Sequence, residues 1–258
     1  MPLQIVRRLI PEWGTTYGPP GEGPFPAIII LHGSEGAWSG WSHRNAVILA
    51  AHGFLAFPLG YSQGGNAWNA GSIIDCPLDR TVDALNALRE FEYSDSKIGL
   101  YGASRGAEHV LLLASLMCRD NVLGLPDAIA AHSPPDVICG AFNSVQWRDV
   151  GDPGWQAWDG SQRAWTWRGS SEQLLPTMPI EMERYPGPLF LSHGTADRMW
   201  SVEMTKRLSK RLEQHGRTPE VHYYEGEDHI PGSAGENKHH ERLIDFFERH
   251  LLQQEPDS

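Results

Sequence analysis

The chain has 258 residues, 40% of them hydrophobic, which is enough for one large α/β domain with a sizeable core. Lys and Arg number 21 against 32 Asp and Glu, so the net charge of −11 argues against a nucleic-acid partner. No apolar run approaches membrane-spanning length, and Met1–Ile10 lacks the apolar stretch of a signal peptide.

The three cysteines, Cys76, Cys118 and Cys139, are odd in number and far apart. They fit a reducing, cytoplasmic compartment, with no disulfide framework and no zinc-type pairing. Neither a cofactor nor a metal is expected. Oligomeric state is left open.

Leu3–Ile10 reads as a peripheral strand, and Pro11–Pro26 as a Pro- and Gly-rich turn or short edge strand. Ala27–Leu31 is a continuous apolar run, as expected for a central strand covered on both faces. It ends in His32-Gly33-Ser34-Glu35-Gly36, a loop whose amides can turn inward. Trp41–His52 predicts a helix closed by Gly53, and Phe54–Leu59 a strand. A loop from Gly60 leads to Cys76. Leu78, Val82, Leu85 and Leu88 then mark a helix over about Pro77–Phe91.

Lys97–Tyr101 is a strand and Arg105–Met117 a helix, with Gly102-Ala103-Ser104-Arg105-Gly106 between them. Strand, tight turn and helix around Gly-x-Ser-x-Gly is the context of a nucleophile elbow. The central Ser must take strained backbone angles, and its neighbours must be small enough for strand and helix to approach. The hydroxyl then stands at the positive end of a helix dipole. The next backbone N–H faces the same point and can hold an oxyanion.

Ala128–His132 is a short strand closed by Pro134-Pro135. Asp136–Pro186 is an irregular excursion holding five of the ten tryptophans: Trp147, Trp155, Trp158, Trp165 and Trp167. A long irregular stretch within a compact domain is often functional. It reads as a lid over residues 136–186 whose aromatics close on an apolar substrate, against the alternative that they pack it onto the body. Pro188–Ser192 is a strand opening into His193-Gly194-Thr195-Ala196-Asp197. Val202–His215 is a helix. Val221–Tyr224 is the last strand, opening into Glu225-Gly226-Glu227-Asp228-His229, and Glu236–Leu252 closes the chain as a helix.

Strands alternating with helices predict a doubly wound, mostly parallel sheet, whose functional groups gather at the strands' carboxyl ends. Four candidates fall there: the His32–Gly36 loop, Ser104, Asp197 and His229. Asp197 and His229 are 32 residues apart, room for one helix and one strand. The order Ser, Asp, His is that of the α/β-hydrolases. A Ser hydroxyl needs a base, His229 can serve near neutral pH, and a buried carboxylate, Asp197, fixes the imidazole. Candidate oxyanion donors are the N–H of Arg105 with that of Ser34 or Glu35. Trp38 and Trp200, in the loops beside the site, and Trp165 and Trp167, in the lid, are candidate substrate contacts.

Asp228 adjoins the base but is poorly placed to face it. His193 and His222 read as packing groups or as supports behind the site, His109 as a core histidine, and Glu108 as a support for the elbow. His239-His240 lacks a metal-binding spacing. Tyr93 and Lys97 have Tyr-x-x-x-Lys spacing, but no Gly-x-Gly-x-x-Gly accompanies them, so an oxidoreductase is not indicated.

Gly102-Ala103-Ser104-Arg105-Gly106-Ala107-Glu108, Trp167-x-Gly169 and Gly194-x-x-Asp197-x-x-Trp200-Ser201 together resemble the catalytic domain of acyl-CoA thioester hydrolases and bile-acid-CoA:amino-acid acyltransferases. More broadly the chain is similar to the dienelactone-hydrolase group of α/β-hydrolases, over about Ala27–Leu252. The resemblance implies Ser104 as nucleophile, Asp197 as acid, His229 as base, and an acyl ester or thioester as substrate. Arg105 stands where that family usually has Lys, and Asp228 where it tends to have Gly. The alternatives are an acyltransferase using the same acyl-enzyme, or a binding module on a catalytically silent scaffold.

Overall fold

Isoleucines and a leucine crowd the segment Phe25–Leu31, and the structure buries both of its faces. Ile29 and Leu31 join one apolar cluster, Ile28 and Ile30 another, and all four are fully buried. That is the environment a continuous β-branched run demands. The structure is a computed structural model that describes residues 4–37, 40–62, 71–143 and 156–252.

The first half of the chain forms β1 (Val6–Ile10), β2 (Gly14–Gly18), β3 (Phe25–Leu31), α1 (Gly40–Ala51), β4 (Leu55–Leu59), β5 (Cys76–Pro77) and α2 (Asp79–Arg89). Next come β6 (Ser94–Ala103), α3 (Arg105–Arg119), β7 (Ala128–His132), β8 (Gly140–Ala141), β9 (Asp159–Arg163) and β10 (Trp165–Thr166). Last come β11 (Leu189–Gly194), α4 (Val202–Gln214), β12 (Glu220–Tyr224) and α5 (Ser233–Phe247).

Eight strands form one sheet in the order β1-β2-β4-β3-β6-β7-β11-β12. The pairings from β4 to β12 are parallel, and those of β2 with β1 and with β4 are antiparallel. Helices α2, α3 and α4 cover one face, through Leu85, Leu88, Leu111 and Leu208 among others. Helices α1 and α5 cover the other, through Leu49, Leu243, Phe246 and Phe247. This is the doubly wound arrangement expected.

The Pro- and Gly-rich Pro11–Pro26 holds a short strand, β2, with β1 and not β2 at the sheet edge, and Gly14 enters it at φ 130°, an angle that suits glycine. The excursion is more regular than the sequence indicated and holds β8 to β10. Its β10 pairs with β5, Trp165 against Cys76 and Thr166 against Pro77, so residues 156–186 are laced to the body. Trp147 and Trp155 lie outside the described residues.

Candidate active site

The elbow between β6 and α3 is built as its sequence requires. Ser104 has φ 54° and ψ −119°, a region that a side chain enters only at a cost. A Cβ on Gly102 would come within 2.1 Å of the Gly106 carbonyl oxygen, and one on Gly106 within 2.1 Å of the Leu31 carbonyl oxygen. Neither position admits a larger residue. The strain is held by α3, where the Glu108 N–H donates to the Ser104 carbonyl at 3.0 Å, and by β7, where the Ser104 N–H donates to the His132 carbonyl at 2.9 Å.

The loops after β11 and β12 bring the other two groups together. His229 Nδ1 lies 2.7 Å from Asp197 Oδ2. A carboxylate there requires the hydrogen on Nδ1, so Nε2 is left with its lone pair. The Asp197 side chain is wholly buried. Its Oδ1 accepts from the N–H groups of Met199 and Trp200, each at 2.8 Å. Its Oδ2 is also 3.0 Å from His193 Nε2. Burial by itself would raise this carboxyl. Hydrogen bonds from His193 and His229, the charge of His229 and the Trp200 N–H outweigh it and hold Asp197 below the usual carboxylate range.

Asp228 does not face the base. Its Oδ1 accepts from the N–H groups of His229 and Arg198, and its Oδ2 from Arg198 Nε at 2.7 Å.

The loop after β3 supplies the third side of the site. A Cβ on Gly33 would lie 3.3 Å from Ser104 Cβ and 2.5 Å from Glu35 Oε2, so loop, nucleophile candidate and Glu35 carboxyl converge. The Gly33 N–H donates to Glu35 Oε1 at 2.9 Å. Burial pushes the Glu35 carboxyl up, while the N–H groups of Gly33 and Glu35 and the charge of His229 pull it back. The Glu35 amide therefore faces its own carboxyl. Nothing in the sequence marked that carboxyl as a site group, because an acid in a Gly-rich loop ordinarily points to solvent.

The four candidate tryptophans separate. Trp200 is 4% exposed, with its ring 6.2 Å from that of His229 and 5.6 Å from the Arg105 guanidinium. Trp38 lies outside the described residues.

Trp165 and Trp167 are placed otherwise than the lid reading expected. Trp165 is fully buried and donates its indole N–H to Glu108 Oε1 at 2.8 Å, so it presents no surface to a substrate. Trp167 donates to Asp120 Oδ2 at 2.7 Å, just past the far end of α3. That helix has 15 residues. At 1.5 Å per residue, Trp167 is roughly 20 Å from the elbow. Both are packing groups, fixed by the pairing of β10 with β5.

Glu108 is the hub of that packing. Fully buried, it also accepts from the Cys139 N–H and from Arg105 Nη1, while Arg105 Nη2 donates to the Gly140 carbonyl. Trp165→Phe would remove a hydrogen bond to a buried carboxylate. The expected cost is about 1–3 kcal/mol of stability, a fall of several degrees in Tm. The dependence of turnover on acyl length should keep its shape. Calorimetry and ester kinetics on the one variant check both.

No helix among the described residues is long and apolar enough to cross a membrane, and no group of three or more His, Cys, Asp or Glu among them is placed to hold a metal ion.

A strained serine, an imidazole with a free nitrogen and a buried carboxylate can together carry out acyl transfer to an activated hydroxyl. Comparison with known proteins relates the chain to thioesterases and esterases. The prolyl oligopeptidase family profile matches residues 138–254. The chain is 29% identical to acyl-coenzyme A thioesterase 6 of Mus musculus over 226 residues, 81% of this chain and 49% of that protein. It is 28% identical to the peroxisomal succinyl-coenzyme A thioesterase of Mus musculus, over 83% of this chain and 51% of that one. It is 26% identical to acyl-coenzyme A amino acid N-acyltransferase 2 of Rattus norvegicus, over 80% and 48%. The chain thus spans about half the length of the curated relatives it matches.

Among solved structures it is similar to phosphonylated esterase 2 of Thermogutta terrifontis, with a TM-score of 0.64 at 16% identity over 97% of each chain. A dienelactone hydrolase-like promiscuous phosphotriesterase from metagenomic libraries gives 0.61 at 15% identity, over 97% of this chain and 98% of that one. The fold is that of an α/β-hydrolase, and the chain resembles the thioesterase and dienelactone-hydrolase groups.

Proposed function

We propose that this chain is a serine hydrolase that cleaves an acyl ester or acyl thioester through an acyl-enzyme on Ser104. The observation that carries the reading is the 2.7 Å contact of His229 Nδ1 with buried Asp197, on the loops that follow the strained Ser104 in hydrolase order. His229 Nε2 takes the Ser104 proton as the hydroxyl attacks the acyl carbon. The N–H of Arg105, at the unsatisfied start of α3, and that of Ser34 hold the oxyanion. His229 then returns the proton to the leaving thiol or alcohol. Water repeats the cycle on the acyl-enzyme.

The likeness to acyl-CoA thioesterases supports thioesters as substrates, and the N-acyltransferase relative supports transfer to an amine as the second reading. Residues 1–258 act as one catalytic domain in this proposal, with 136–186 as its cover. Trp200 is the described aromatic placed to meet an acyl group.

A fluorophosphonate probe tests the nucleophile directly. Wild type is expected to label stoichiometrically at Ser104, and the Ser104→Ala protein not at all. No labelling of the wild type would make the chain a binding module on a silent scaffold, and labelling at another residue would reassign the nucleophile. A panel of acyl-CoAs run beside p-nitrophenyl esters of the same acyl groups separates the leaving groups. With glycine or taurine added, release of free acid rather than amide marks hydrolysis.

A further inference from the structure

Asp197 carries a second imidazole. His193, at the end of β11, is fully buried, and its Nε2 lies 3.0 Å from Asp197 Oδ2 and 2.9 Å from the Trp200 carbonyl oxygen. Neither oxygen has a proton to give, so Nε2 bears the hydrogen. On its other side, Nδ1 lies 2.7 Å from the Thr205 hydroxyl, in the first turn of α4. Thr205 is fully buried too, and its one hydroxyl hydrogen can go either to His193, at 2.7 Å, or to the Pro134 carbonyl, the longer contact at 3.3 Å. With the hydrogen on Nε2, Nδ1 of the neutral ring is an acceptor and Thr205 donates to it. Hydrogen bonds therefore run from Thr205 to His193 to Asp197, and meet the one arriving from His229.

Resting on the hydrolase reading above, we propose that His193 is a positioning residue for the triad. It fixes the Asp197 carboxylate for His229 and, by donating to it, limits how strongly that carboxylate holds the proton of His229. Thr205 sets its tautomer and polarises its N–H.

The electrostatic consequence has a sign. Without the donor, the Asp197 charge is less neutralised, the His229 imidazolium is better stabilised, and the acid limb of kcat/KM moves to higher pH. The other titratable and charged groups facing His229 are Glu35 from the loop after β3, the buried His132 from the end of β7, and Asp228 with its partner Arg198. The substitutions below alter none of them.

The experiment measures kcat/KM against pH on a p-nitrophenyl ester for wild type, His193→Phe, His193→Gln and Thr205→Val. Each rate is divided by the sites titrated with a fluorophosphonate. His193→Phe is expected to lose about tenfold or more in kcat per titrated site, as for other partners that orient a catalytic group. Its acid limb should rise by about half a pH unit. His193→Gln, which keeps an N–H near Nε2, should restore the limb and most of kcat. Thr205→Val should move both in the direction of His193→Phe by a smaller amount.

A role in packing alone would lower the titrated fraction and Tm and leave limb and kcat per site at wild-type values. That result in His193→Phe overturns the proposal. If that variant does not fold, the same result in Thr205→Val overturns it. The hydrolase reading survives either outcome, because the sites still titrate. Failure of wild type to titrate at all would overturn both.

Discussion

Ser104→Ala should lower kcat/KM by on the order of 10⁴–10⁶ while circular dichroism and Tm stay close to wild type. The hydroxyl is a single group on a turn whose shape is set elsewhere: by the Gly102–Gly106 approach and by backbone hydrogen bonds to His132 and Glu108. Removing it leaves those intact. His229→Ala should cost about as much, and the double variant scarcely more, because nucleophile and base act as one unit. The residual rate reports the oxyanion donors. Asp197→Asn should lose on the order of 10⁴, since an amide in place of Oδ2 favours the wrong imidazole tautomer. Asp228→Asn should lose far less, because its carboxylate is spent on Arg198 and on two backbone N–H groups. Rates on one activated ester, per milligram of folded protein, decide the series. A Ser104→Ala protein with wild-type turnover, or an Asp228 variant worse than Asp197→Asn, would dismantle the assignment.

The parts of this site that were legible in the sequence share a physical reason. Gly102 and Gly106 are dictated locally, by a turn too tight for any Cβ. The apolar run of β3 is dictated by burial on both faces. Asp197 and His229 follow because a parallel sheet delivers the end of every strand to one edge. The two misplaced tryptophans had no such local dictation. Trp165 reaches Glu108 and Trp167 reaches Asp120 because β10 pairs with β5, two segments 89 residues apart in the chain. Composition marks a tryptophan for burial and does not say against what. The Glu35 carboxyl was hidden for a related reason. Its return to the Gly33 N–H is a property of one loop's path. The sequence leaves His193 between packing and support of the site, because its contact with Asp197 depends on the path of the loop after β11.

Acid should strip this protein of much of its stability above the pH at which ordinary carboxylates titrate. Besides His193, four imidazoles among the described residues are buried outside the proposed triad: His32, His109, His132 and His239. Burial pushes His32 down to about 4, His109 and His132 to about 3, and His239 well below its ordinary value. Among the described residues Nδ1 of His109 and Nε2 of His132 have no hydrogen-bond partner, so a proton taken up by either ring would leave a buried N–H without an acceptor. In the unfolded chain each imidazole takes up a proton near pH 6.5; in the folded chain it does not. The unfolded state therefore binds more protons below that pH, and stability falls as pH falls. Their contribution is fully present above about 6.5 and declines by at most about 1.4 kcal/mol per group per pH unit beneath it.

Three carboxyls oppose the trend. Glu35, Glu108 and the less buried Asp95 are raised by burial, so the folded state takes up their protons first. Asp197 and Asp120 are depressed and add to the loss, but only below about pH 4. Four protons against at most three leaves a slope of about 1–5 kcal/mol per pH unit between 6.5 and 5. Domains have about 5–15 kcal/mol in all, so this loss takes a large share of the stability by pH 5. Urea denaturation at pH 8, 7, 6 and 5 reads this directly: level from 8 to 7, then a steep drop with an unchanged m-value. His109→Gln, whatever it costs at pH 8, should flatten the drop by about 1.4 kcal/mol per pH unit, one titrating group fewer. A stability that stays level to pH 5, or a His109→Gln slope equal to wild type, would show that these imidazoles are not held neutral in the fold.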